Sequence, residues 1–189
     1  MKTLYTGKFL KLLDRQGWEY VDRPASKGVV QIVATYKGSI LVVEQFRWAQ
    51  GAVVISLPGG LVEDSTENAE RDLEAAAHRE LLEETGFAAG RMAPILTGPI
   101  SPGMTTETIT FFVAHDLRPI GPPRGDGDEV ITLHQIPAAG IFDWLKAREE
   151  TKALVDLKLY LGLALGLGLI PKKHESPLRL PQDNSDRPQ

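Results

Sequence analysis

Hydrophobic residues in the first half of the chain alternate with polar ones or run on in short stretches, which is the pattern of strands rather than helices. Phe9 to Leu13 and Trp18 to Val21 are two such stretches. Asp14-Arg15-Gln16-Gly17 lies between them as a turn sequence, so a hairpin is predicted. Gly28 to Tyr36 (GVVQIVATY) is apolar and rich in β-branched residues, and Lys37-Gly38 separates it from Ser39 to Phe46 (SILVVEQF). These predict a second hairpin, buried on both faces and central to a sheet. Val53 to Leu57 reads as a short strand ending at Pro58-Gly59-Gly60. From about Asn68 to Thr85 alanine and leucine favour a helix, and Gly86 is a natural stop. Ile95 to Ile100, Glu107 to Ala114 and Glu129 to Leu133 read as further strands, Gly121 to Gly127 as a loop, and Pro137 to Arg148 and Thr151 to Leu169 as the last helices. The order predicts an α/β (α+β) fold, a mixed sheet sandwiched between helices, preceded by an N-terminal antiparallel hairpin. A single domain is expected over residues 1–170, and four prolines with several charges in 171–189 read as a disordered tail.

Composition narrows the function without naming it. The chain has 189 residues, of which 42% are apolar and 24% charged, ordinary for a soluble globular domain. A formal charge of −4, from 25 acids against 21 bases, argues against a nucleic-acid or anionic-membrane partner. An anionic substrate would need a local source of positive charge, from arginines or a divalent cation. With no cysteine in the chain, thiolate catalysis, disulfides and cysteine-based zinc sites are excluded. The N-terminus has no signal-peptide run, and Leu159 to Ile170 is 12 residues long, too short to span a bilayer. It reads as a buried C-terminal helix, and the expected location is cytoplasmic.

The candidate chemistry sits on the central helix. At 100° per residue Leu73, Ala77 and Leu81 form a core-facing stripe. Glu80 and Glu84 fall on the same stripe, and Glu83 flanks it. An acidic run on a helix is usually a solvated face. Here the carboxylates crowd one another near an apolar side, where like charges repel and unpaired burial is costly. A hard divalent cation would compensate, since Mg²⁺ prefers carboxylate and phosphate oxygens. Arg79, four residues before Glu83, is placed to orient it by a charge-assisted hydrogen bond. The four histidines (His78, His115, His134, His174) show no metal-ligand spacing and read as structural or solvent-facing.

Leu57-Pro-Gly-Gly60 before this helix, with Arg79-Glu-Leu-Leu-Glu-Glu-Thr-Gly-Phe87 at its end, resembles the box of the Nudix hydrolases, G-x5-E-x7-R-E-U-x-E-E-x-G-U, where U is a bulky aliphatic or aromatic residue. The second half of the box is filled without exception. The first half departs from it: 18 residues, not the family's 13, separate Gly60 from Arg79, so the family's first Glu falls on Arg71. An insertion around Asp64 to Arg71 is expected. The resemblance implies a Nudix-type α/β/α sandwich, with residues 57–87 as the box region. It implies metal ligation by Glu80, Glu84 and Glu83 with the Gly59 carbonyl, and a catalytic role for Glu83. It also implies two or three Mg²⁺ ions per site, with Mn²⁺ or Zn²⁺ as alternatives.

Beyond the box, Gly17-Trp-Glu-Tyr-Val-Asp-Arg23, Val43-Glu-Gln-Phe-Arg47 and Ser101-Pro-Gly-Met-Thr-Thr-Glu107 look like the ADP-ribose pyrophosphatase subgroup. Pro102, sixteen residues after Gly86, matches that subgroup's marker. Arg23 and Arg47 are candidates for phosphate or the adenine edge. Trp18 or Tyr20 is a candidate for stacking on adenine. Gly103 permits a tight turn near the substrate, and Glu107 is a candidate for ribose hydroxyls. The resemblance places a mobile catalytic loop at Asp126-Gly-Asp-Glu129, with Glu129 as general base or extra metal ligand and Asp128 as the alternative acid. It implies hydrolysis of ADP-ribose to AMP and ribose 5-phosphate, with GDP-mannose or another nucleoside-diphosphate sugar as the alternative substrate. It further implies a homodimer that exchanges its N-terminal sheet, residues 1–27. A non-catalytic ligand-sensing module of the family would tend to lose the box glutamates kept here. An isopentenyl-diphosphate isomerase would need the absent cysteine.

Overall fold

Two tight turns of the same kind lay out the first half of the molecule. Gln16 and Gly17 have φ of 56° and 82°, and Lys37 and Gly38 have 48° and 79°. Left-handed pairs of this kind match the twist of two-residue hairpins. The structure, a computed structural model, describes residues 1–63, 73–124, 130–166 and 168.

In chain order the strands and helices are β1 (Lys2–Thr6), β2 (Lys11–Arg15), β3 (Trp18–Asp22), β4 (Ser26–Tyr36), β5 (Ser39–Arg47), β6 (Ala52–Ser56), β7 (Leu61–Glu63), α1 (Leu73–Thr85), β8 (Phe87–Ala88), β9 (Arg91–Pro99), β10 (Thr108–His115), β11 (Arg118–Pro119), β12 (Ile131–Pro137), α2 (Ile141–Glu150), β13 (Leu154–Val155) and α3 (Leu157–Gly166). β1, β2 and β3 form a separate antiparallel N-terminal sheet. The main sheet has two halves joined at the β4–β5 hairpin. One half is β7-β4-β10-β9, with β4 and β10 parallel. The other is β13-β6-β5-β12.

β4 shows why the sheet has a layer on each side. Val30, Ile32 and Ala34 pack with Ala76, Ala77 and Leu81 of α1. Val29 and Val33, on the opposite face, pack with Ile141 and Leu145 of α2 and Leu159 and Leu163 of α3. A strand buried on both faces reads as a continuous apolar run, which is how GVVQIVATY reads. The fold is therefore the mixed α/β sandwich that the sequence predicts, with the N-terminal antiparallel sheet in addition.

Several boundaries differ from expectation. β1 has no counterpart in the sequence reading; it is exposed along its length and is held by pairing with β2. The first turn is narrower than predicted, because Asp14 and Arg15 pair with Glu19 and Trp18 inside the ladder. Pro137 does not open a helix: it closes β12, paired with Ser39, and α2 starts at Ile141 after a 3-10 turn. The long last helix is also divided. Leu154 and Val155 pair in parallel with Val54 and Ile55, and the α3 turn begins only after Asp156, whose Oδ1 accepts the Lys158 backbone N–H at 2.9 Å. α3 is 10 residues long, and no described helix is long and apolar enough to cross a membrane. The expected insertion at 64–71, Glu129 with Asp128, His174 and the tail at 171–189 lie outside the described residues.

Candidate active site

The Pro58–Gly60 segment lies along β4 like a further strand. Ile32 N–H donates to the Pro58 carbonyl at 2.8 Å, Val30 N–H to the Gly60 carbonyl at 2.9 Å, and Gly60 N–H to the Val30 carbonyl at 3.1 Å. This closeness requires glycine. A Cβ at Gly59 would stand 2.1 Å from the Val30 carbonyl oxygen, and one at Gly60 would stand 2.2 Å from Glu80 Oε1. The same segment meets α1 on its other side, where Gly59 N–H donates to Glu84 Oε2 at 2.8 Å.

Burial sorts the helix carboxylates as the stripe predicts. Glu80 and Glu84 are 9% and 6% exposed, whereas the Glu83 side chain is 34% exposed. Arg79 bridges the group: Nη2 donates to Glu80 Oε1 at 2.8 Å and Nη1 to Glu83 Oε2 at 2.6 Å. The orientation of Glu83 by Arg79 anticipated from their spacing is thus present. Among the described residues no three acids or histidines stand together at metal-binding distances. Two buried carboxylates against a bare glycine backbone nevertheless fit a hard divalent cation, which takes oxygen ligands and leaves places for substrate phosphate.

Next to Gly59 and Gly60 opens a cavity of about 840 Å³. Arg23, Arg47 and Glu107 line it together, as do Gln31, Ser56 and Lys158. Arg23 Nε donates to Glu107 Oε1 at 2.9 Å. Lys158 Nζ pairs with Asp156, another lining residue. Among the described residues Arg47 makes no ion pair, so its charge faces the cavity uncompensated. Glu149, also on the wall, accepts a hydrogen bond from Tyr160 Oη at 3.3 Å. Burial, aided by the Glu149 charge and this hydrogen bond, raises the Tyr160 phenol above its ordinary value.

The structure divides the candidate substrate residues into two groups. Trp18 and Tyr20 are not in this cavity; they line a separate depression of about 250 Å³ with Pro102, Thr105 and Thr106. Trp18 Nε1 donates to the Gly103 carbonyl at 3.0 Å, so these two candidates touch each other. The N-terminal sheet docks here through Val21 N–H to the Met104 carbonyl (2.8 Å) and Thr106 Oγ1 to Asp22 Oδ1 (2.6 Å). Gln31, Ser56 and Lys158 were not among the sequence candidates. Gln31 alone carried a signal, as an amide flanked on both sides by aliphatic residues, Val29-Val30 and Ile32-Val33. His134, read as structural, pairs its Nε2 with Glu44 Oε2 at 2.9 Å on the β5–β12 ladder.

Fold and site together set two buried helix-borne carboxylates against a glycine segment that lines a cleft carrying Arg23 and Arg47. A family model described as the NUDIX domain matches residues 24–155. An ADP-ribose pyrophosphatase of Bacillus subtilis (strain 168) is 30% identical over 132 residues, covering 69% of this chain and 68% of that protein. A GDP-mannose pyrophosphatase of Enterobacter sp. (strain 638) is 32% identical over 130 residues, 65% of this chain and 66% of that protein. A crystal structure of an ADP compounds hydrolase superposes with a TM-score of 0.68 at 18% identity, covering 89% of this chain and 90% of the other. The chain belongs to the NUDIX family, and it is a hydrolase of that family.

Proposed function

We propose that the protein hydrolyses the diphosphate linkage of ADP-ribose, giving AMP and ribose 5-phosphate. One observation carries the reading: the buried Glu80 and Glu84 lie against Gly60 and Gly59, and these two glycines line a cavity that also presents Arg47 and Arg23. About 840 Å³ is within the range of small-molecule sites and suits a dinucleotide-sized ligand. The similarity to an ADP-ribose pyrophosphatase favours this substrate. The comparable similarity to a GDP-mannose pyrophosphatase supports a second reading, a nucleoside-diphosphate-sugar hydrolase of that preference.

Glu80 and Glu84 are the residues to hold Mg²⁺, or Mn²⁺ or Zn²⁺ in its place, with Glu83 and the Gly59 carbonyl as further ligands. A bound divalent cation supplies charge neutralisation for the diphosphate and acidifies the attacking water. Arg79 fixes Glu80 and Glu83 in one orientation, so the carboxylates need no rearrangement when substrate arrives. Arg47 and Arg23 hold the diphosphate by guanidinium forks. Glu129 accepts the proton of the water as it adds to phosphorus and the bridging P–O bond breaks. Glu107, held by Arg23, faces the sugar end.

A substrate panel tests the reading: ADP-ribose, GDP-mannose, NADH, a diadenosine polyphosphate and 8-oxo-dGTP, each with Mg²⁺ and with chelator, products separated by chromatography. The highest kcat/KM is expected for ADP-ribose, and chelator should abolish turnover of every substrate. A profile led by GDP-mannose would transfer the assignment to the second reading.

The N-terminal sheet and its β1–β2 connection leave Tyr5, Phe9 and Trp18 at 67%, 64% and 64% exposure. Exposed aromatics on and beside this small sheet favour a homodimer that exchanges it, so that Trp18 and Tyr20, which lie outside the cavity of their own chain, serve the neighbouring site. Analytical sedimentation should give a single dimeric species at micromolar concentration; a monomer would reject the arrangement.

A further inference from the structure

Two polar side chains on the cavity wall are more than nine-tenths buried: Gln31 in β4, 6% exposed, and Ser56 at the end of β6, 7% exposed. Gln31 stands on the β4 face whose neighbours Val29 and Val33 belong to the core beneath α2 and α3. Its partner in register on β10, Phe111, belongs to the same core. The surrounding pattern would place an aliphatic residue there. The amide nitrogen lies close to Gly59: a Cβ at that glycine would come within 2.8 Å of Nε2. The amide oxygen Oε1 is buried and has no hydrogen-bond partner among the described residues. An interior acceptor without a donor is a net loss to the fold, and native proteins seldom keep one without a use.

Chemistry restricts what the use can be. A carboxamide oxygen accepts hydrogen bonds and cannot donate them. Ionised diphosphate oxygens are acceptors as well, so they cannot satisfy it. The donors that a nucleoside-diphosphate sugar carries close to its diphosphate are sugar hydroxyls. Gln31 touches Gly59, whose N–H holds Glu84, which puts the amide at the reacting end of the cavity and away from the Trp18–Tyr20 depression.

We propose that Gln31 is a specificity residue whose carboxamide oxygen accepts a hydrogen bond from a sugar hydroxyl adjoining the diphosphate of the bound substrate. This role rests on the nucleoside-diphosphate-sugar reading given above. Both the nucleoside ribose and the distal sugar carry the required hydroxyl, and substrate analogues separate the two.

The experiment compares wild type with Gln31→Leu on three substrates. They are ADP-ribose, P2-ethyl ADP, which has no distal sugar, and ADP-ribose built on 2′,3′-dideoxyadenosine. Gln31→Leu should lower kcat/KM for ADP-ribose about tenfold, as expected for a hydroxyl left facing an apolar wall. Its melting temperature should not fall, because an unpartnered acceptor has been removed. The analogue that lacks the contacted hydroxyl should be a poorer substrate for wild type and should lose nothing further in the variant; it identifies which sugar is read. An equal loss on all three substrates, or none on ADP-ribose, overturns the role. Gln31→Met, of similar length and also without an acceptor, repeats the comparison if the leucine variant does not fold. If neither folds, the amide serves the core and the proposal falls. A wild-type protein that cleaves none of the three substrates defeats the activity itself, a result visible before any substitution is compared.

Discussion

Glu84→Gln should lower kcat at least about 100-fold for the best substrate while the protein stays folded, the scale at which metal-assisted electrostatic stabilisation acts. The reason is local. Glu84 is 6% exposed and receives the Gly59 N–H at 2.8 Å, so its carboxylate is fixed against the Pro58–Gly60 segment rather than free in solvent. An amide keeps the size of the side chain and an oxygen to accept that N–H, but it removes the negative charge that a divalent cation requires. The fold therefore persists while cation affinity falls. Two measurements check this. Steady-state kinetics should show the loss in kcat, and the rise in melting temperature that Mg²⁺ gives the wild type should be absent from the variant. Near-normal turnover would remove Glu84 from the metal site.

The second large effect is expected at Gly59. Gly59→Ala brings a methyl group to 2.1 Å from the Val30 carbonyl oxygen, which is backbone and cannot turn aside. It also places a side chain at φ +156°, where L residues are strained. Overpacking and backbone strain together cost about 3 kcal/mol. For a domain of this size that is a fall of about 6–12 °C in melting temperature. Activity should fall further than stability, because the displaced segment carries the N–H that holds Glu84 and borders the cavity. Thermal unfolding with kinetics on the folded fraction separates the two effects. An alanine variant with wild-type melting and turnover would show that the segment does not sit as close to β4 as described.

The site was legible in the sequence to the extent that its chemistry is carried by one helix. Helical spacing by itself puts Glu80 and Glu84 on the buried stripe and sets Arg79 one turn from Glu83, and the structure shows both arrangements. Local rules also gave the two tight hairpins and the doubly buried β4, because turn chemistry and apolar runs are properties of neighbouring residues. They failed where long-range pairing decides. Leu154 and Val155 continue a helical pattern, yet they form β13 because β6 offers a parallel edge at Val54 and Ile55, far earlier in the chain. β1 has little apolar content of its own and exists through β2.

The cavity is the clearest division between the two levels. The sequence named Arg23, Arg47 and Glu107 separately, and it grouped Trp18 and Tyr20 with them. Only the packing of β4, β5, β6, β13 and the start of α3 around Gly59 and Gly60 shows which of these share a wall and adds Gln31, Ser56 and Lys158 to it. Periodicity along one helix determined the acidic centre of this hydrolase, since residues three or four apart must share a face. The cavity proposed for the rest of the substrate was decided by tertiary structure, since its side chains come from elements that no local spacing relates.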